Sequence, residues 1–218
     1  MTFDPDDFAR TLDVSRETLD RLKCYAALLE KWQSRINLVA NSTLPELWRR
    51  HFLDSAQLLP LVRATGAEPV ETWLDLGSGA GFPGLVLAIM GAGEVHLAES
   101  DQRKGAFLRQ VIRETGANAV VHTARIEALT PRRPDVITAR ALAPLDRLLP
   151  LAARHMRKES EIWLLKGQHV EEELTQASIS WNMQLEEFAS QSDPLGRILR
   201  IRGLAPCRKK TPSGNPRR

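Results

Sequence analysis

The segment Thr72-Trp-Leu-Asp-Leu-Gly-Ser-Gly-Ala-Gly-Phe-Pro-Gly84 runs from a short apolar stretch into clustered glycines and then into helical sequence. Glycine is required where a ligand lies against the backbone, because a Cβ would block the approach. Gly79-x-Gly81-x-x-Gly84 satisfies the dinucleotide-binding pattern. A pyrophosphate is therefore one candidate occupant. Asp75, two residues before Gly77 at the end of the expected strand, favours another. A carboxylate there would repel a pyrophosphate but suit the ammonium of a methionine moiety and its neighbouring sulfonium. Glu99 ends the next apolar run, near the twenty-residue offset of an acid that binds a ribose diol. It would serve either cofactor. Arg125-Ile126-Glu127 follows the third run, where an acidic residue can meet an adenine amino group and an apolar one can pack on the ring. The bland alternative makes Asp75 a turn cap and Glu99 a solvated strand end.

These residues need a scaffold, and the hydrophobic pattern supplies one. Apolar runs at 72–76, 95–98, 119–122, 135–138 and 162–165 alternate with helical segments at 84–90, 102–115, 145–157 and 170–180. That is the form of a parallel sheet covered by helices. Runs at 184–188 and 197–202 lack a long helix between them and suggest an antiparallel hairpin closing the sheet. The fold expected is α/β, a doubly wound and mostly parallel sheet, with ligands at the carboxyl ends of its strands. Upstream, Leu19, Leu22, Ala26, Leu29, Trp32 and Ile36 recur at helical spacing over 15–36, with Ser15 as N-cap. Thr43-Leu-Pro-Glu46 has the form of a capping box opening a second helix to about Val62. The division expected is a helical cap over 1–66, the sheet domain over 67–204, and a flexible basic tail from 205, with a linker around Gly66 to Pro69.

Composition excludes several classes. No apolar run approaches the roughly 20 residues of a membrane helix, and the acidic start with Asp4, Asp6 and Asp7 does not fit a secretory signal. Cys24 and Cys207 read as free thiols of a reducing, cytoplasmic compartment. The five histidines show no metal-ligand spacing, so no metal is expected. The isoelectric point of about 9.1 has a local origin. Arg208, Lys209, Lys210, Arg217 and Arg218 stand in a segment without acids, and removing those five charges takes the net charge from +3 to −2.

With these residues in place, the chain resembles the bacterial small-subunit rRNA guanosine-N7 methyltransferase family, also called the glucose-inhibited division protein B family. The resemblance runs from about Trp32 to Arg202. It rests on Ile36-Asn-Leu-Val39, Arg50-His-Phe-Leu-Asp-Ser55, Leu74-Asp-Leu-Gly-Ser-Gly-Ala-Gly-Phe-Pro-Gly84, Arg125-Ile-Glu127, Thr138-Ala-Arg-Ala141 and Lys166-Gly167. It implies the class I S-adenosylmethionine-dependent methyltransferase fold, S-adenosyl-L-methionine as donor, and N7 methylation of one guanosine in 16S rRNA, free or within the small subunit. It also implies cofactor contacts at Gly77, Phe82, Ile126, Glu127 and Arg140, with Gly79 in the same loop. Where the family often has Asp-Ser, this chain has Glu99-Ser100, which keeps the carboxylate and its hydrogen bonding. No partner chain is expected, and a monomer suffices.

Missing motifs agree with that chemistry. Thr138-Ala-Arg-Ala-Leu-Ala-Pro144 contains neither the Asn/Asp-Pro-Pro-aromatic segment of adenine amino methylation nor the cysteine of cytosine C5 methylation. Guanine N7 carries a lone pair and no proton, so neither base nor nucleophile is needed. Arg140, after the fourth strand, is expected to position the guanine or its phosphate, or to pair with a carboxylate such as Asp75 or Glu127. Lys166, after the fifth, is expected to help hold the RNA. Arg49, Arg50, His51, Arg103 and Lys104 are further RNA candidates, as are Arg132 and Arg133, each with a solvated surface charge as its alternative. His51 and Asp54, one turn apart, could bond each other and anchor the cap. Two other function classes stay open. A nucleotide-dependent dehydrogenase would bind NAD(H) in place of S-adenosylhomocysteine, and a non-catalytic RNA-binding module would transfer no methyl group.

Overall fold

The structure, a computed structural model, describes residues 3–65 and 70–207. The expected linker at 66–69 and the basic charges from Arg208 onward lie outside the described residues.

The chain begins with a helix that the hydrophobic pattern did not reveal, α1 (Pro5–Leu12). Asp4 caps it and Asp7 returns the bond, with Pro5 in the first turn. Its one buried residue, Phe8, packs edge-on against Trp48. The long helix expected at 15–36 is α2 (Arg16–Gln33), capped by the Ser15 hydroxyl. The single helix expected over 43–62 is broken. Thr43 opens no helix: it lies inside a 3-10 turn, Asn41–Glu46, and its hydroxyl donates to the Ala40 carbonyl. A π turn, Trp48–Leu53, follows, then α3 (Asp54–Ala56) and α4 (Leu58–Ala64).

The sheet has seven strands: β1 (Thr72–Leu76), β2 (Glu94–Ala98), β3 (Ala119–His122), β4 (Val136–Arg140), β5 (Glu161–Lys166), β6 (Trp181–Ala189) and β7 (Arg197–Pro206). Their order is β3-β2-β1-β4-β5-β7-β6. The first five are parallel, and β7 runs antiparallel to both neighbours. Side chains alternate across β1 and β5. Trp73, Trp163 and Leu165 join the core beneath α1, α2, α5 (Gly84–Ile89) and α6 (Gln102–Thr115). Leu74, Leu76, Ile162 and Leu164 face the core beneath α7 (Leu145–His155) and α8 (Val170–Ser178). Both faces being covered, these strands read as continuous apolar runs. Apolar residues of α1, α2 and the segment from Leu47 to Val62 share one core with the first face of the sheet.

Strand order reverses between β1 and β4, the switch point where such sheets leave a crevice at their carboxyl ends. Among the described residues no helix is long and apolar enough to cross a membrane, and no group of three His, Cys, Asp or Glu side chains could hold a metal ion.

Candidate active site

Two cavities open at the switch point. The first, about 430 Å³, is lined by the loop after β1 (Gly77 to Ala80, Phe82), by Glu99, Ser100 and Lys104 after β2, by Ala124 to Glu127 after β3, and by Arg140 to Leu142 after β4. The second, about 580 Å³, lies between the π turn, the ends of β4 and β5, and the β6–β7 connection. Arg140, Ala141 and Leu142 line both and form the wall between them. Ala141 adopts φ 50°, a left-handed conformation that alanine rarely takes, so the wall is a tightly constrained turn.

The glycine loop is tied inward. The Ser78 amide donates to the Ala98 carbonyl, that of Gly81 to Ser78, that of Gly79 to Glu99 Oε2 at 2.8 Å, and that of Gly84 to Asp75 Oδ2. These four N–H groups have protein acceptors and are not free for a pyrophosphate. Gly77 is needed for a separate reason: it sits at φ +67°, a left-handed conformation that side chains rarely adopt. Beneath the loop, the buried Tyr25 hydroxyl donates to the Ala80 carbonyl, and its ring stacks on Phe82.

Asp75 is fully buried and does not line either cavity. The sequence places it at the correct strand end, but its carboxylate turns under the loop. It accepts from Thr138 Oγ1 at 2.9 Å and from the first amide of α5, occupying the helix N-terminus where a phosphate would otherwise sit. Burial raises its pKa from the ordinary 3.8 to about 6. A carboxyl whose folded pKa is raised stabilises the fold below its unfolded value, and that contribution is lost as pH rises through about 6. Asp75→Asn should therefore gain on the wild type by on the order of 3 kcal/mol as pH goes from 4 to 7. Denaturant titrations at both pH values check this; a pH-independent difference would contradict it.

Glu99 lines the first cavity as expected. Its two oxygens accept from the Gly79 and Asp101 amides, which fixes the carboxylate while each oxygen keeps lone-pair capacity for a hydroxyl. Gly77, Gly79, Phe82, Ser100, Ile126 and Glu127 line the same cavity. Lys104, expected on the RNA side, lines it too, beside Ser100. Arg103 is exposed and lines neither cavity.

Arg140 is paired, but with neither Asp75 nor Glu127. Its Nη1 donates to Asp54 Oδ2 at 3.2 Å and to the Arg50 carbonyl at 3.1 Å, and its Nη2 to His51 Nδ1 at 2.7 Å. The guanidinium also lies over the Phe82 ring. The π turn makes this possible. The Asp54 amide reaches back five residues to the Arg49 carbonyl, leaving the Arg50 carbonyl to Arg140. His51 and Asp54 do not bond each other; Arg140 bridges them and anchors the cap to β4. With Nδ1 accepting from Arg140, His51 is neutral and donates through Nε2 to Thr43. Burial, Arg140 and Arg50 lower its pKa to about 3.

The second cavity gathers Arg50, His51, Arg140, Lys166 and Arg197, together with Asp54, Glu173 and Asp193. Lys166 donates to Glu173 at 2.7 Å and to the Ala143 carbonyl; Arg50 pairs with Asp193. Arg49 is exposed and donates to the Ser192 carbonyl at the cavity's edge. The sequence reading missed Thr138, Glu173 and Arg197 as site residues. Thr138 had a signal, as the first residue of the Thr138-Ala-Arg-Ala141 segment; Glu173 and Arg197 had none.

A doubly wound sheet, a cavity at its switch point, an inward-tied glycine loop and a fixed carboxylate after β2 define a class I S-adenosylmethionine-dependent methyltransferase. The cavity has the size of a small-molecule site, roughly 300–1,000 Å³, and its ribose-type acid and apolar Ile126 fit an adenosyl group. Known proteins agree. The family described as rRNA small subunit methyltransferase G matches residues 18–194. A ribosomal RNA small subunit methyltransferase G of Rhodospirillum rubrum is 56% identical over 197 residues, covering 90% of this chain and 96% of its own length. That of Parvibaculum lavamentivorans is 53% identical over 221 residues, covering 99% and 94%. The chain belongs to the rRNA small subunit methyltransferase G family. Among solved structures it is similar in fold to magnesium protoporphyrin IX methyltransferase of Synechocystis with bound S-adenosylmethionine, at TM-score 0.57 and 15% identity over 87% of this chain and 98% of that one. It is also similar to the ribosomal protein L11 methylase of Lactobacillus delbrueckii subsp. bulgaricus, at TM-score 0.54 and 18% identity over 67% and 77%.

Proposed function

We propose that this protein methylates N7 of a guanosine in small-subunit (16S) rRNA, acting as a cytoplasmic monomer. The observation that carries the reading is the second cavity, which meets the first at Arg140 to Leu142 and is lined by four cationic side chains, Arg50, Arg140, Lys166 and Arg197. Cations suit a phosphodiester backbone, and a splayed-out base needs such a pocket. When bound in the first cavity, S-adenosylmethionine supplies an electrophilic methyl group.

The residues around it hold, orient and exclude. Asp75, Glu99 and Tyr25 fix the loop; Glu99 and Ser100 bind the ribose, and Ile126 and Glu127 the adenine. His51 is no general base, since both its nitrogens are committed to Arg140 and Thr43. Asp54 is likewise committed at both oxygens. Guanine N7 needs no base, because its lone pair is already free. The chain's contribution is placement, which in well-oriented reactions supplies roughly 7–11 kcal/mol. Arg140 has five N–H donors and three are committed. The remaining two are available to guanine O6 or a neighbouring phosphate, and they leave N7 turned toward the methyl group.

The test is to map 16S rRNA from cells with and without this protein by chemical cleavage at N7-methylguanosine. One cleavage site should disappear with the protein and return with its gene. An unchanged map, or a methyl group lost from another base atom, would overturn the reading.

A further inference from the structure

We propose that Glu173 is the residue that selects guanine, accepting N1–H and the N2 amino group of the target base through a carboxylate oxygen that no protein donor occupies. This rests on the N7 reading above. Three carboxylates line the second cavity. Asp54 accepts from Ser192 and Gln57 through Oδ1 and from Arg140 through Oδ2. Asp193 accepts from the Leu195 amide through Oδ1 and from Arg50 through Oδ2. Glu173 differs. Lys166 Nζ and the Leu145 amide both donate to its Oε2, at 2.7 and 3.0 Å, and Oε1 has no hydrogen-bond partner among the described residues. The side chain keeps 23% exposure, so the carboxylate is shielded yet reachable.

Two donors on one oxygen set the carboxylate's orientation from the first turn of α7 and the end of β5. The other oxygen is then a fixed acceptor in a cavity whose other two carboxylates already have donors on both oxygens. Guanine is the base whose Watson–Crick edge puts two donors side by side. Adenine and cytosine place an acceptor nitrogen next to their amino group, and uracil flanks its single N–H with carbonyls. Bases in single strands are read on that edge by side chains. In guanine the edge lies opposite N7, so a base held there leaves N7 free for transfer. The pairing with Lys166 serves the same end, holding Glu173 in place rather than cancelling it.

The test compares small subunits reconstituted with guanosine or inosine at the target position, using the wild type and Glu173→Gln. Inosine keeps N7, O6 and N1–H but lacks the N2 amino group. The wild type should prefer guanosine by roughly 10–100-fold in kcat/KM, the scale of losing one hydrogen bond to a charged group. In Glu173→Gln, Lys166 and the Leu145 amide draw the amide oxygen to themselves, turning the NH2 group toward the base. Guanosine methylation should fall by a similar factor, and the guanosine preference should shrink to about 1, with S-adenosylhomocysteine affinity kept as evidence of a folded site. A role confined to holding Lys166 would lower rates on both substrates and leave the preference intact. Equal use of the two substrates by the wild type, or an unchanged preference in Glu173→Gln, would overturn the proposal. No N7 product from the wild type on guanosine would instead overturn the reading beneath it.

Discussion

Arg140→Ala should lower kcat/KM for methyl transfer to small ribosomal subunits by about 100-fold or more, the scale of losing an aimed donor or a placed nucleophile. Three partners lose their donor at once: Asp54, His51 and the Arg50 carbonyl. Asp54 is largely buried beside Arg140, and an abandoned charge there should reduce stability by on the order of 2–4 kcal/mol. Arg140→Lys should recover part of the stability, because an ammonium still pairs with Asp54. It should recover little of the rate, because a point charge cannot span three acceptors and still keep donors for the base. Steady-state kinetics with urea titrations on the same preparations separate the two effects. Unchanged transfer in Arg140→Ala would remove the residue from the site.

Glu99→Ala should weaken S-adenosylhomocysteine binding by about 100-fold, since it deletes charge-assisted hydrogen bonds worth roughly 1.5–3 kcal/mol each. The same change strips the acceptor from the Gly79 and Asp101 amides, so the loop itself should loosen. Glu99→Gln can satisfy one of those two amides and should fall between. Isothermal titration of the three proteins gives the ranking; equal affinities would show that the carboxylate does not meet the ribose.

The sheet was legible because parallel strands covered on both faces must be apolar throughout, and helices must separate them. Runs at 72–76 and 119–122 and the helix at 102–115 coincide with the observed elements. Glu99 was legible for a related reason: a strand end and a fixed offset leave its carboxylate one place to go. Asp75 shows the limit. Its position at the end of β1 followed from the pattern, but whether the carboxylate rises into the cavity or turns beneath α5 depends on Thr138 from a strand 63 residues away. What speaks against a diphosphate is instead the Asp75 carboxylate at the first amide of α5, together with the protein acceptors of the Ser78, Gly79 and Gly81 amides. The partner of Arg140 was hidden in the same way, because it lies about 90 residues upstream and depends on a π turn that leaves the Arg50 carbonyl to it. That turn also explains the misread second helix. Amphipathic spacing continues through 3-10, π and α segments alike, so the stretch from Thr43 to about Val62 reads as one helix where there are several. The first helix carries only one buried side chain, too little for a hydrophobic stripe; Asp4-Pro5-x-Asp7 was its one local mark.

A loop that turns its Ser78, Gly79, Gly81 and Gly84 amides inward, beside a carboxylate fixed after β2, should grip an adenosyl sulfonium and refuse a dinucleotide. Calorimetric titration of the folded protein with S-adenosylhomocysteine, and separately with NADH, tests it most directly. Saturable one-site binding of the first and none of the second is the expected result. Binding of NADH, or no heat from S-adenosylhomocysteine, would contradict it.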